Sequence, residues 1–226
     1  MNEKINNRIN LHKAAQQRKS QGFSLIELLI VLIIVAVMTA MSLPYLLNYK
    51  KQYRSEDQSL KIMDLMRESS QMAMTRRRPF RFEIDLTNNQ ALIIDGRNPG
   101  PADDIQVKSL QLENAADLRV DQIPSGITRP IPPDYDDAVF ANDTIGHLEG
   151  GTRVVGNSVW QISFRPDGTA VNAAGNPLSA SLYVWTPLSP GNAAPKNMNE
   201  VRAITVFGGS GTVKYWKRNG TTFSQY

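Results

Sequence analysis

Glu27 is the only charged side chain in residues 23–43. A bare carboxylate surrounded by hydrocarbon is costly, so a charge kept near the start of such a run calls for a partner that neutralises it. Three other groupings carry potential chemistry. Arg76, Arg77, Arg78 and Arg81, with Lys214, Lys217 and Arg218 as a second cluster, have the charge for a phosphate-binding face, and Tyr215 and Trp216 have rings that stack on bases. The same residues also read as a helix end whose arginines complement its dipole, followed by a strand alternating solvent and core faces. That second reading is favoured and needs no nucleic acid. Asp134, Asp136, Asp137 and Asp143 offer the clustered oxygens that calcium takes, but they lack the EF-hand glycine and closing glutamate, and a solvated loop explains them. His12 and His147 are the only histidines. His147 near Glu149 is chance-level evidence for a hydrolase, and there is no Gly-x-Ser-x-Gly, His-Glu-x-x-His or Walker loop. No metal, no cofactor and no catalytic residue are expected.

The element that must position Glu27 is a helix. At about 1.5 Å per residue, residues 23–43 reach roughly 31 Å as a helix, just enough to cross a bilayer core. Lys4, Arg8, Lys13, Arg18 and Lys19 precede it, against Lys50, Lys51 and Arg54 after it, which favours a cytoplasmic N-terminus. A cleaved secretory signal is the competing reading, with small residues at Ala40 and Ser42. The length of the apolar run and the carboxylate within it favour a retained transmembrane helix.

Beyond Pro44 the helical period persists, with Leu46, Tyr49, Tyr53, Leu60, Met63 and Met66 spaced by three, four or seven residues and Ile62, Leu65, Met72 and Met74 widening the stripe. This predicts an amphipathic continuation over 44–78 whose Met-rich face is core, with a kink or local melting at Pro44. Pro79 ends it. The period then drops to two, Phe80, Phe82, Ile84 and Leu86 alternating with Arg81, Glu83 and Asp85, and Thr87-Asn88-Asn89 turns the chain into a returning strand at 91–95. Further strands are predicted at 118–122, 159–165, 169–171, 182–185, 202–207 and 212–218, the last two joined by Gly208-Gly209-Ser210-Gly211. Such short hairpins imply an antiparallel sheet over 79–226. Residues 96–117 and 124–158, rich in Pro, Gly, Asn and Asp, read as long surface loops around the short strand.

The chain has 226 residues, 25 basic and 21 acidic side chains and no cysteine. The length suits one globular domain with extensions. Lack of cysteine excludes a disulfide scaffold, a thiolate zinc site, a cysteine nucleophile and a lipoprotein anchor. Residues 1–22 hold five basic groups and one acidic group, so this segment alone accounts for the net +4, and a nucleic-acid reading cannot rest on the basic pI. Acid concentrates in 82–150, with thirteen acidic against four basic groups.

The run Gly22-Phe23-Ser24-Leu25-Ile26-Glu27-Leu28 resembles the processing motif of type IV pilins and type II secretion pseudopilins, and Pro44 matches a proline frequent in pilin helices. The leader is longer than in many pilins. The resemblance implies that residues 1–22 are removed by a prepilin peptidase cutting between Gly22 and Phe23, with N-methylation of Phe23. Cutting there leaves a cationic amine on Phe23, four residues from Glu27 and so about one helical turn away. Between staggered parallel helices, the amine of one subunit can meet the Glu27 carboxylate of the next, a pair that fixes register more than it adds net stability. Three further stretches are similar to the H-type pseudopilins and related minor pilins. These are residues 67–82, with their basic helix end passing through Pro79, then Ile162-Ser163-Phe164-Arg165-Pro166-Asp167-Gly168, and the closing pair Ile204-Thr205-Val206 and Gly211-Thr212-Val213-Lys214-Tyr215-Trp216.

The expectation is an α+β protein, pilin-like, with a long N-terminal helix packed on an antiparallel β domain. The family resemblance implies a minor pseudopilin in the bacterial inner membrane, its β domain in the periplasm, polymerising into a pseudopilus. Its implied partners are other pseudopilins or pilins, the prepilin peptidase, the assembly platform and the membrane. A minor pilin of a type IV pilus, including a DNA-binding uptake pilin, is the nearest rival. An exported soluble protein with a cleaved signal is another.

Overall fold

The computed structural model describes residues 23–96, 103–131 and 136–226, the side chains of 43–52 and 136–137 excepted. The chain divides into two units, Met1–Asn48 and Tyr49–Tyr226. A single helix, α1 (Leu25–Arg76), is continuous in sequence from one into the other. In the first unit, Leu25–Ser42 is long and apolar enough to cross a membrane, and all its side chains are exposed. Helical backbone continues through Pro44, so the local melting offered as one expectation does not occur.

In the second unit α1 buries Ile62, Met63, Leu65, Met66 and Ala73, interleaved with Ser55, Gln58, Ser59, Ser69 and Ser70. Small hydroxyl residues let the helix approach the sheets closely, a feature that an apolar stripe alone conceals; Tyr53, Leu60 and Met74, assigned to the stripe, are exposed. Ser55 Oγ donates to the Glu200 carbonyl (2.9 Å) and Arg67 to the Val213 carbonyl (3.0 Å). The helix ends on Arg77 with a left-handed φ of 53°, the Arg78 N–H reaching back to the Ala73 carbonyl at 3.3 Å. This is the six-to-one closure that usually employs glycine, and the proline that often follows such a cap is Pro79.

The strands in chain order are β1 (Phe80–Asp85), β2 (Gln90–Asp95), β3 (Ile105–Gln111), β4 (Arg119–Asp121), β5 (Asp136–Asp137), β6 (Ala141–Asn142) and β7 (His147–Glu149). They continue with β8 (Thr152–Val154), β9 (Ser158–Phe164), β10 (Ala170–Val171), β11 (Ala180–Trp185), β12 (Arg202–Phe207), β13 (Thr212–Asn219) and β14 (Thr222–Gln225). Two sheets form where one was expected. The first runs β10-β9-β1-β2-β3-β7-β8 with β6 against β9; the second runs β14-β13-β12-β11-β4 with β5 against β11. All pairings are antiparallel except β3 with β7 and β11 with β5.

One face of each sheet and the buried stripe of α1 share a core built on Phe80, Phe82, Ile84, Phe164, Leu182 and Ile204. The second sheet carries a further cluster of Tyr183, Trp185, Val201, Ala203 and Trp216, which are not part of that core.

Two readings of 79–226 are corrected. Residues 96–117 are not a loop throughout, because 105–111 form β3, paired with β2 across a register shift between Ile93 and Ile94. A bulge at Val107, which the register skips between Gln106 and Lys108, puts Ile105, Val107 and Leu110 out of the period of two that makes a strand visible in sequence. Within 124–158, β7 and β8 make a short hairpin and β6 adds to β9.

The turns at 166–168 and 208–211 abut, and a Cβ on Gly211, which has φ +58°, would collide with the Gly168 carbonyl oxygen. Gly211→Ala is therefore expected to cost at least about 1 kcal/mol from the left-handed backbone alone, with the overlap adding to it. Urea unfolding of the detergent-solubilised protein measures this, and an unchanged midpoint would show that the two turns are not seated together.

Candidate functional site

Gly22, the leader and His12 lie outside the described residues. Phe23 is exposed, and Ser24 caps α1: the Glu27 N–H donates to Ser24 Oγ (3.2 Å) and the Leu28 N–H to the Ser24 carbonyl (3.1 Å). Ser24 and Glu27 thus hold the spacing of a capping box, with Glu27 in the first turn where the helix dipole favours negative charge. Among the described residues no cation meets the Glu27 carboxylate.

The basic residues do not form one face. Arg78 pairs with Asp95 at 2.6 Å, and the guanidinium groups of Arg76 and Arg78 lie over the Phe80 ring at 5.5 and 5.7 Å. Arg77 closes the helix. Lys217 pairs with Glu56 at 3.0 Å, Arg218 is buried, and Lys214 bonds Gln225 at 3.2 Å. Glu56 precedes Arg76 by twenty residues of α1, about 30 Å along the axis. Lys217 therefore lies well away from the arginines at the end of α1, whereas Lys214 follows Val213, whose carbonyl accepts from Arg67. Arg81 is buried altogether.

The feature missed by sequence reading is the charged side of β1. Arg81, Glu83 and Asp85 alternate with the core residues as a half-solvated strand would have them, yet all three are buried, with Glu83 and Asp85 at 0% exposure. Arg81 donates to Asp104 (2.6 Å) and to the Gly146 carbonyl (2.7 Å), and its Nε lies 3.6 Å from Glu83. Asp85 accepts from the Thr87 and Asn88 N–H groups (2.8 and 3.0 Å) and from the Asn157 amide (2.6 Å). His147, also buried, brings Nδ1 to 3.7 Å from Glu83 Oε1, and Asp143 joins them.

Asp143, grouped in the sequence with solvated acids, is 3% exposed; Asp134 and the side chains of Asp136 and Asp137 lie outside the described residues. Burial pushes the Glu83 carboxyl up to about 7 against the opposing pull of Arg81, and burial lowers the His147 imidazole. The only sequence signal for this site was three charged residues in a row on one face of a strand whose other face is wholly core.

The cluster is bordered by a cleft of about 380 Å³ whose lining includes Pro79, Arg81, Gly96, Asp104, Ile145 and Arg165. Arg81 acts as a clasp. It joins β1 to the residue before β3 and to the turn before β7, holding the 143–149 segment against the sheet.

The prokaryotic N-terminal methylation motif matches residues 17–43. The match covers the Gly22-Phe23 junction, Glu27 and the apolar run, and it marks the chain as type IV pilin-like. The α+β fold, a long helix on a β domain, is consistent with that class. No curated protein and no solved structure matches the chain.

Proposed function

We propose that this pilin-like protein is a minor pseudopilin of a type II secretion system, a structural subunit with no catalysis of its own. It is held in the inner membrane with its N-terminus cytoplasmic and its β domain periplasmic. The observation that carries this reading is the exposed apolar surface of Leu25–Ser42 with Glu27 as its one charge. A helix apolar all round needs lipid or neighbouring helices to cover it, and a carboxylate within it needs a cation. The Phe23 amine of an adjacent subunit supplies that cation once the leader is removed. Dispersal of the basic residues weighs against the DNA-binding uptake pilin.

The direct test is the intact mass and N-terminal residue of the membrane-extracted protein, produced with and without the prepilin peptidase. The expected product begins at a methylated Phe23 only when the peptidase is present. A chain beginning near Leu43 in both cases would make the helix a signal peptide and end the filament reading. Deletion of the gene is expected to reduce protein export into the culture medium and leave surface pili intact. The opposite pattern would assign the subunit to a pilus.

A further inference from the structure

We infer that Glu83, Asp143 and His147 form a binding site for one divalent transition-metal ion of the zinc class, which staples the turn before β7 to the outer face of β1. Each residue offers one ligand atom, an imidazole nitrogen or a carboxylate oxygen, and the three atoms lie within 4.8 Å of one another. A tetrahedral ion with bonds of about 2.1 Å spaces its donors about 3.4 Å apart, so modest side-chain contraction completes the site.

The second observation is independent of that proximity. Both carboxylate oxygens of Glu83 and both ring nitrogens of His147 are fully buried without a hydrogen-bond partner. Buried polar atoms are ordinarily satisfied, and two facing side chains with every polar side-chain atom unpartnered point to a ligand between them. Asp143 is already aimed. Its oxygens accept from the Ile145 and Gly146 N–H groups at 2.9 to 3.0 Å, which leaves lone pairs for an ion. Gly146, at φ +70°, makes this turn possible, because a Cβ there would stand 2.5 Å from the Val154 carbonyl oxygen.

Charge supports a cation. Glu83, Asp85, Asp104 and Asp143 are buried together against one buried guanidinium, Arg81, while Arg153 donates to the Ile145 carbonyl from the exposed side. The donor set selects the metal. One imidazole with two carboxylates suits zinc, whereas calcium and magnesium take oxygen donors. A water completes the coordination, as in other zinc sites with three protein ligands.

The test uses the full-length protein, extracted in detergent without a polyhistidine tag, stripped with chelator and dialysed against micromolar zinc. Elemental analysis is expected to return one zinc per chain, and zinc is expected to raise the unfolding temperature by several degrees. His147→Gln is expected to lose the ion, while His12→Gln retains it. In the His12→Gln protein His147 is the only histidine, so zinc X-ray absorption is expected to show one imidazole even if His147→Gln fails to fold. Absence of stoichiometric zinc, zinc retained in His147→Gln, a spectrum without imidazole, or preferential calcium binding would each overturn the assignment.

Discussion

Glu27→Ala is expected to leave cleavage and membrane insertion largely intact while reducing incorporation into sheared filaments at least tenfold, equivalent to about 1.4 kcal/mol per subunit. On the proposed pairing, removing the carboxylate leaves the incoming amine of Phe23 unpaired in an apolar bundle. Truncating one member of a buried pair is far more damaging than replacing both.

The capping geometry supplies a control. The Glu27 backbone N–H donates to Ser24 Oγ whatever the side chain, and glutamine is accepted at this position of a capping box, so Glu27→Gln keeps the cap and removes only the charge. Both variants are expected to fail in filaments. Normal incorporation of Glu27→Gln would show that the charge of Glu27 is not needed, and normal incorporation of Glu27→Ala would end the pairing role altogether. Sheared-fraction immunoblots normalised to total membrane protein provide the measurement.

The second large effect belongs to Arg81. Arg81→Met is expected to destabilise the protein by about 3–5 kcal/mol, the range for breaking a buried ion pair by removing one partner. The loss leaves Asp104 buried without its 2.6 Å partner and the Gly146 carbonyl without its donor. Lysine is not expected to substitute, because one ammonium cannot reproduce the fork that reaches both acceptors. Adding Asp104→Leu to Arg81→Met is expected to recover part of the loss, since Asp104 is then no longer a buried carboxylate without its partner, while Glu83 still lacks the guanidinium beside it. Urea unfolding measures all three variants, and proteolysis within 141–156 reports whether the clasped segment detaches first. A loss below about 1 kcal/mol, the range of surface pairs, would mean that Arg81 is not a clasp.

Much of the architecture was legible because it is written in local periodicity. The 3.6-residue stripe ending at Pro79, the switch to period two, and the turn residues at 87–89 and 208–211 locate α1, the β1–β2 hairpin and the β12–β13 hairpin. β3 escaped because it carries a bulge at Val107, which the register with β2 skips, so its apolar residues Ile105, Val107 and Leu110 do not keep a period of two. β7 and β8 escaped because strands of three residues hold too few positions to show a period. The split into two sheets was invisible for another reason. Hairpin signals specify which strands are neighbours in sequence, not which edge a later strand joins, and β9 joins β1 across more than seventy residues.

The N-terminal run is legible from the chain alone: one carboxylate, Glu27, four residues after Phe23, in an apolar helix. Those properties depend only on residues adjacent along the chain. The burial of Arg81, Glu83, Asp85 and Asp143 depends instead on how distant segments pack. Alternation puts the first three on the side of β1 opposite the core, and that side would be solvated if nothing covered it. Residues 141–157, distant in sequence, do cover it, turning four ordinary surface charges into a buried cluster with His147. Burial by a remote segment has no local signature, because the cost of desolvating a charge depends on what arrives in space, not on which residues stand beside it in the chain.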